Sequence, residues 1–239
     1  MTSKIETQFG WIITFPIVWL MTVYLKLKNR SLNTANDYAR HQKEFFSITF
    51  LRNKSDKFHK VRKKVAEYAL NGKNKKALDI ATGHGFQAKA LMDIGISDVF
   101  AIDIVPERIE SCKKMDQNKG IKFQVMDAAN LSYRDKFFDC STVSAALHDM
   151  PTAVKRKAIL EIVRVTQNTI VIFEPRTFKN PFIAFIYGII GEILDESLNF
   201  KEYVKDDLSI LFQDHNFDMI KDENVWYGIL NIKVFRSKI

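Results

Sequence analysis

Residues 78–86 read LDIATGHGF, an apolar run that leads into a segment with two closely spaced glycines. Gly83 and Gly85 can form a sharp turn without Cβ obstruction, just before a helix that we expect to begin near Phe86. Asp79 stands at the C-terminal end of the predicted strand, where open α/β sheets bind their ligands. A carboxylate at this place suits the ammonium group of an amino acid, and the turn lets a ligand lie close against the backbone.

The rest of the chain repeats this pattern of strands and helices. After Lys76, short apolar runs alternate with helical stretches, which is typical of a parallel sheet covered by helices on both faces. The runs are KALDIA, VFAID, IKFQVMD, FFDCSTV and TIVIFEP. A helix is expected around 204–214, and the last two strands, DMIKDENV and WYGILNIKVFRS, have no room for a helix between them. We therefore predict an α/β, Rossmann-like fold with seven mostly parallel strands and a C-terminal antiparallel pair.

Two further carboxylates end predicted strands. Asp103 follows Gly83 by twenty residues, a position from which a carboxylate hydrogen-bonds both hydroxyls of a ribose. Asp127 ends the third strand, where it can accept from the exocyclic amine of adenine. The segment 83–88 also satisfies the dinucleotide pattern GxGxx(G/A), so a nicotinamide-dependent oxidoreductase is an alternative. The Tyr-x-x-x-Lys pair expected of such an enzyme occurs only at residues 24–28, which disfavours it.

From about residue 76 to 175 the chain resembles the class I S-adenosylmethionine-dependent methyltransferases, especially the branch of ubiquinone/menaquinone C-methyltransferases and phosphatidylethanolamine N-methyltransferases. The stretches FDCSTVSAALHDMP and FEP match the family's fourth and fifth strands. The family's glycine loop is acidic-x-Gly-x-Gly-x-Gly, and Ala81 replaces the first glycine. The resemblance implies S-adenosyl-L-methionine as cofactor. It places the methionine moiety on Asp79, Ala81, Gly83 and Gly85, the ribose on Asp103, and the adenine on Ile104, Asp127 and Ala128.

Methyl transfer needs few catalytic side chains, because the sulfonium of the cofactor is already an excellent leaving group. His148, in ALHDMP, is the first candidate, since this loop faces the methyl group in the family and histidine titrates near neutral pH. Asp149 is expected either to orient it or to cap the helix after Pro151. Tyr38 is the second candidate, because an N-terminal tyrosine pairs with a histidine of this loop in the related phosphoethanolamine methyltransferases.

The N-terminal part of the chain is apolar and then basic. Residues 9–25 carry no charge over seventeen positions, the lower limit for a helix that spans a ~30 Å hydrocarbon layer. Pro16 would kink such a helix, so partial or in-plane insertion is an alternative. Residues 26–76 hold fifteen Lys or Arg against four acids. By the positive-inside rule they place the catalytic domain on the cytoplasmic side, and they suit an anionic membrane surface. A solvated helix face and an RNA-binding patch are the two alternatives for this basic segment.

We predict three parts: a membrane anchor helix at 1–30, a basic and aromatic linker with helices capping the active site at 31–75, and the methyltransferase domain at 76–239. The apolar stretch 180–194 is expected to be a lid over an apolar substrate, a second membrane contact or a core helix. Neither cysteine has the spacing of a zinc site, so no metal is expected.

The predicted function is methyl transfer to a membrane-resident acceptor, with a lipid amine headgroup of the phosphatidylethanolamine type favoured over an isoprenoid quinone. A methyltransferase acting on RNA or protein is the alternative.

Overall fold

The computed structural model describes residues 56–115, 120–194, 197 and 199–238, together with Arg40 and Lys43. The predicted anchor at 1–30 and the candidate Tyr38 lie outside the described residues, and both stay predictions. No helix within the described ranges is long and apolar enough to cross a membrane.

A seven-stranded sheet forms the centre of the fold, in the order β3-β2-β1-β4-β5-β7-β6. The strands are β1 (Lys76–Ile80), β2 (Asp98–Asp103), β3 (Lys122–Val125), β4 (Phe138–Ser144), β5 (Thr166–Pro175), β6 (Phe217–Val225) and β7 (Leu230–Ser237). Strands β1 to β5 are parallel, and β7 runs antiparallel to both β5 and β6. The predicted α/β sheet with a C-terminal antiparallel pair is confirmed.

Helices cover both faces of this sheet. They are α1 (His59–Leu70), α2 (Phe86–Asp93), α3 (Pro106–Lys114), α4 (Thr152–Val165), α5 (Pro181–Leu194), α6 (Phe200–Tyr203) and α7 (Ser209–Gln213). Helices α1 to α3 bury their apolar residues in one core cluster, and α4, α6 and α7 do so in the other. Helix α1 contributes Val65, Ala66 and Ala69 to the first cluster, so it packs as part of the catalytic domain's core although it precedes the predicted boundary at 76.

The strand order reverses between β1 and β4, which are neighbours in the sheet. At such a reversal the connections after the two strands leave in opposite directions and open a crevice at the carboxyl ends of the parallel strands. We call this side of the sheet the carboxyl edge. Every predicted site residue within the described ranges lies at or next to it.

The predicted helix around 204–214 is confirmed only over α7 (Ser209–Gln213), because α6 ends before this range at Tyr203 and a break separates the two helices. The cause is local: the Asp207 carboxylate accepts a hydrogen bond from the Ser209 backbone N–H at 3.1 Å and starts a new helix there. The predicted last strand also begins later than expected. Trp226, Tyr227 and Gly228 all have positive φ and form the tight turn between β6 and β7.

Candidate active site

The glycine loop after β1 turns through left-handed backbone conformations. Gly83 has φ 57° and Gly85 φ 77°, and Ala81 takes φ 53° although it carries a Cβ. A Cβ added at Gly83 would meet nothing within 4 Å, so the space above the loop is open. The left-handed conformation of Ala81 explains why the resembling family places a glycine there.

Replacing Ala81 by glycine should stabilise the protein. A left-handed residue with a Cβ is disfavoured by about 1–2 kcal/mol, and the extra freedom of glycine in the unfolded chain offsets roughly 0.5–1 kcal/mol of this. We expect Ala81→Gly to raise the free energy of unfolding by roughly 0.5–1 kcal/mol, as measured by denaturant unfolding. Ala77→Gly, in the extended strand β1, is the control and should lower stability. Equal losses in both variants would contradict the strain at Ala81.

Asp103 ends β2 directly beneath the glycine loop and is 2% exposed. Its Oδ2 accepts a hydrogen bond from Gly83 N at 2.9 Å, and its Oδ1 accepts one from Val105 N at 2.9 Å. The Arg108 guanidinium lies 3.6 Å from Oδ2. An ionised carboxylate has about four acceptor sites, so Asp103 can hold the loop and still accept hydrogen bonds from a ligand's hydroxyls.

A pocket opens at this edge with about 380 Å³ of space, its mouth included. It is lined by Ala81, Asp103, Ile104, Arg108, Met126, Asp127, Ala128, Met150 and Val154. Five of the eight predicted cofactor residues therefore line one pocket, and Gly83 and Gly85 form the adjacent turn. A carboxylate at one end and aliphatic and thioether side chains around the rest suit a ribose and a flat adenine ring, so the residues fit S-adenosylmethionine.

Asp127 begins the turn that closes the far side of this pocket. Its Oδ1 accepts a hydrogen bond from Ala129 N at 2.8 Å, which fixes the side chain across its own turn. The neighbouring Ala128 is buried. Arg164 of α4 donates to the backbone oxygens of Leu131 and Tyr133 at 2.9 and 2.8 Å and so ties the following loop to the helix. The side of the pocket predicted to hold the adenine is thus held in place from two directions.

Asp79 lies below the loop rather than in the pocket lining. It is 1% exposed, and its two carboxylate oxygens accept hydrogen bonds from the hydroxyls of Thr82 at 2.6 Å and Thr142 at 2.8 Å. Burial raises the pKa of Asp79 to about 6, against these hydrogen bonds, which lower it. Its contact with the methionine moiety stays a prediction, and its observed contacts join β1, the loop and β4.

The raised pKa of Asp79 gives stability a pH dependence. The folded protein holds this proton up to about pH 6, whereas the unfolded chain releases it near 3.8. The contribution of Asp79 is therefore fully present below about pH 4 and is lost as the pH rises through 6. Asp79→Asn does not titrate, so its stability relative to wild type should increase from pH 4 to pH 7 by an amount on the order of 3 kcal/mol. Urea unfolding at both pH values measures this, and a pH-independent difference would contradict it.

Glu174, near the end of β5, is a buried carboxylate surrounded by N–H donors. Its Oε1 accepts hydrogen bonds from Ala146 N and Leu147 N at 2.7 Å each. Its Oε2 accepts one from His148 N at 3.4 Å and lies 2.7 Å from His148 Nδ1. Since the carboxylate acts here as an acceptor throughout, we assign the shared hydrogen to Nδ1, which leaves the lone pair on Nε2.

Asp149 lies on the other side of the same ring, with its Oδ1 3.5 Å from His148 Nε2. Because the lone pair assigned to Nε2 faces this oxygen, the contact becomes favourable when the ring takes up a proton. The orienting role and the helix-capping role of Asp149 both stay predictions. Two carboxylates on opposite sides of the imidazole would stabilise a proton taken up by it.

His148 is covered in this structure, with 5% of its surface exposed. The rings of Phe200 and Tyr203 on α6 pack edge-on against it, with centroids 5.8 and 6.1 Å away. The Ser197 hydroxyl donates to the backbone oxygen of His148 at 2.8 Å, and the Asn199 amide donates to that of Asp149 at 2.7 Å. The segment around α6 therefore lies between His148 and solvent.

A second cavity of about 270 Å³, its mouth included, lies next to the turn that carries His148. Leu147 lines this cavity, whereas Met150 lines the cofactor pocket. The second cavity is lined by Leu147, Ile172, Thr177, Tyr203, Asp206, Leu208, Ser209, Phe212, Lys233 and Phe235. His148 thus belongs to the turn that separates the two spaces.

Lys155 adds a buried cation close to this turn. It is 0% exposed, and its Nζ lies 5.1 Å from the centroid of the Tyr203 ring. Burial lowers the pKa of Lys155, and the nearby carboxylates of Asp206 and Glu174 oppose this. Among the described residues, no group of three or more His, Cys, Asp or Glu side chains is placed to hold a metal ion.

Sequence reasoning missed Glu174, Arg108 and Lys155 as site residues. The glutamate had a signal, since FEP ends the predicted fifth strand, but its contact with His148 joins residues 26 positions apart. Arg108 stands one helical turn after the end of β2, and this spacing could have indicated its contact with Asp103.

The sheet order, the glycine turn after β1, Asp103 at the end of β2 and Asp127 two residues after β3 are features of the class I methyltransferase fold. Residues 78–172 match the family model of a methyltransferase domain. Over residues 78–172 the chain is therefore similar to methyltransferases, and this similarity disfavours the nicotinamide alternative.

One relative is a demethylmenaquinone methyltransferase of Paenarthrobacter aurescens (strain TC1), which is 33% identical over 125 residues. The match covers 52% of this chain and 46% of the relative, so the chain spans about half of that protein's length.

Two solved structures show the same fold. The PH0226 protein of Pyrococcus horikoshii OT3 is 18% identical with a TM-score of 0.60, covering 82% of this chain and 99% of that chain. The magnesium protoporphyrin IX methyltransferase of Synechocystis PCC 6803, with bound SAH, is 12% identical with a TM-score of 0.58, covering 87% of this chain and 90% of that one.

Proposed function

We propose that this protein transfers a methyl group from S-adenosylmethionine to a ring carbon of an isoprenoid quinol, with His148 as the general base. The observation that carries the proposal is the pair of His148 and Glu174 at the carboxyl edge, 2.7 Å apart. An amine acceptor needs only to lose a proton to expose its lone pair, whereas a ring carbon needs a base that activates the adjacent hydroxyl. A histidine held by a buried carboxylate suits the second task.

The similarity to a demethylmenaquinone methyltransferase supports a quinone-type acceptor. It shifts the preference from the lipid amine headgroup favoured by the sequence to the quinol ring. A lipid amine headgroup remains the second candidate acceptor. For that acceptor we expect His148 to pair with Tyr38, which lies outside the described residues. RNA or protein acceptors have the basic residues of the 26–76 segment as their only support.

The reaction needs one bond to form and one to break. When held by the glycine loop and the pocket at Asp103, S-adenosylmethionine would supply a methyl group on a sulfonium sulfur, and that sulfur would leave as a neutral thioether with the electrons of the broken S–C bond. His148 Nε2 takes the proton of the acceptor's hydroxyl, so that electron density moves to the ring carbon that forms the new C–C bond. The ring carbon then loses its hydrogen as a proton, and the ring oxygen regains the proton held by His148, so that one proton is released overall. Glu174 and Asp149 stabilise the charged imidazole during the step.

The second cavity is the proposed acceptor pocket. Apolar side chains in its lining include Leu147, Ile172 and Phe235, and polar ones are Thr177, Tyr203, Asp206, Ser209 and Lys233. Such a mixture of apolar surface and polar groups is what an oriented aromatic ring requires. Because the rings of α6 cover His148, we propose that the acceptor displaces part of this segment when it binds.

We also propose that the protein is membrane-associated, with the catalytic domain on the cytoplasmic side. The uncharged residues 9–25 and the basic residues that follow support this location. An isoprenoid acceptor resides in the bilayer, so the location and the acceptor agree.

Transfer of a radiolabelled methyl group tests the acceptor. The full chain is mixed with labelled S-adenosylmethionine and, separately, with a reduced isoprenoid quinol in detergent, with phosphatidylethanolamine vesicles and with tRNA. We expect label in the quinol alone. Label in phosphatidylethanolamine or in tRNA would replace the quinol with that acceptor, and cofactor binding without transfer to any of the three would contradict the proposal.

A further inference from the structure

Helix α5 presents its small residues to the protein and its large apolar residues to the outside. Ala184, Gly188 and Gly191 are buried. A Cβ added at Gly188 would lie 3.2–3.4 Å from atoms of Lys201 and Val204, so this side of α5 lies directly against α6. The large residues on the other side are exposed, and they are Phe182, Ile183, Phe185, Ile186 and Ile190.

This arrangement is the reverse of a helix packed on a soluble core, in which the large apolar side chains face inward. Phe182 is 71% exposed, and residues 181–191 contain no charged side chain. Contiguous exposed apolar surface of this kind marks a site of contact with another apolar body. At fourteen residues α5 is about 21 Å long, which suits a helix lying in the plane of a bilayer surface.

The turn between β6 and β7 extends the same surface. It lies at the carboxyl edge, because Leu230 at the start of β7 pairs with Pro175 at the end of β5. The Tyr187 hydroxyl of α5 donates to the backbone oxygen of Ile229 at 2.6 Å, which joins the helix to this turn. Tyr227 at its tip is 95% exposed. Aromatic residues at such a tip favour the interface between lipid and water.

Cations surround the apolar residues. The Arg176 guanidinium lies 4.8 Å from the centroid of the Phe178 ring, and the Lys201 ammonium lies 5.5 Å from that of Phe185. Lys179 is exposed between β5 and α5. An apolar helix face with cations beside it is complementary to an anionic lipid surface, where each cation adds roughly 1 kcal/mol of attraction.

We infer that the exposed face of α5 and the turn at Trp226–Gly228 dock onto an anionic lipid bilayer, so that the carboxyl edge faces the membrane. Thr177 lines the second cavity and lies in the chain between β5 and α5, so the proposed acceptor cavity is next to the docking surface along the chain. This role for the cavity rests on the proposed function, whereas the docking itself does not depend on the acceptor.

An environment-sensitive fluorophore on a single introduced cysteine tests the docking in the full chain. Phe182→Cys places the label on the proposed surface, and Leu160→Cys places it on α4, where Leu160 is also exposed. Cys112 and Cys140 are buried, so the introduced thiol reacts first. With phosphatidylglycerol-containing vesicles we expect a blue shift at residue 182 and none at residue 160. Vesicles of phosphatidylcholine alone should give a smaller shift.

A second variant tests the energetic role of the surface. Phe182→Ser with Phe185→Ser should lower partition into the anionic vesicles about tenfold or more, whereas Leu160→Ser should leave it unchanged. A label at 182 that stays in water while the protein binds vesicles would overturn the inference. An apolar environment at residue 182 before vesicles are added would also overturn the inference, because another segment or a second copy would then cover the face. Absence of vesicle binding would overturn it as well. Methyl transfer to detergent-solubilised quinol, measured on the same variants, separates a failure of docking from a failure of the proposed function.

Discussion

Asp103→Ala should weaken S-adenosylmethionine binding by at least about 100-fold. The carboxylate accepts a hydrogen bond from Gly83 N at 2.9 Å, and it is the group that we predict to accept from the ribose hydroxyls. Hydrogen bonds to a charged group are worth roughly 1.5–3 kcal/mol each, so two lost ribose contacts alone account for such a change. Loss of the Gly83 contact also frees the loop that is predicted to bind the methionine moiety. Titration calorimetry with the cofactor measures the effect.

The matched control is Asp98→Ala, at the opposite end of the same strand. The Asp98 carboxylate makes exposed contacts with Lys122 at 2.5 Å and Lys76 at 3.9 Å, away from the pocket. Cofactor affinity in this variant should stay within about twofold of wild type, because exposed ion pairs contribute little to a distant site. Unchanged binding in Asp103→Ala, or an equal loss in both variants, would refute the assignment of the ribose to Asp103.

His148→Ala should lower kcat for the quinol by roughly 10²–10⁴-fold, with little change in cofactor affinity, because a positioned base contributes on this scale. Glu174→Gln should also lower kcat, since an amide cannot accept from both the backbone N–H groups and Nδ1 without presenting a hydrogen to one of them. In Glu174→Gln the pH profile of kcat should shift as well, because the ring loses the negative charge beside Nδ1. Steady-state rates across pH measure both effects.

The controls for these two variants are a histidine and a glutamate that lie outside the site. His215 contacts the backbone oxygen of Leu211 at the exposed end of α7, so His215→Ala should retain activity. Glu202 is exposed and accepts from the Thr152 hydroxyl at 3.2 Å, so Glu202→Gln should retain the wild-type pH profile. Full activity in His148→Ala with every acceptor would show that the base lies elsewhere.

Much of the fold followed from the sequence because its strands are short apolar runs bounded by polar turns. The five parallel strands and the final antiparallel pair were predicted in the right order along the chain. The errors fell where local chemistry overrides periodicity. The Asp207 side chain interrupts the helix expected around 204–214. Trp226 and Tyr227 adopt left-handed backbone conformations that are more typical of glycine and asparagine, so their residue types do not predict this turn.

The site residues that stand at the end of a single predicted strand could be predicted from the sequence. Ala81, Asp103, Ile104, Asp127 and Ala128 line a common pocket because parallel strands bring their carboxyl ends together. The partner of His148 was not predictable in this way, because Glu174 reaches it only through the pairing of β4 with β5. Nor does periodicity alone reveal that α5 turns its large residues outward, since that depends on how closely α6 approaches Gly191.

Cys112 makes the opening of the glycine loop measurable without any added probe. Its thiol donates to the backbone oxygen of Gly83 at 3.4 Å, and burial raises its pKa to about 12. Alkylation requires the thiolate and access to it, and the Gly83 contact implies that lifting of the loop away from α3 would help expose the sulfur. The rate of alkylation of Cys112 therefore reports loop opening, and a ligand that closes the loop will slow the reaction as its occupancy rises.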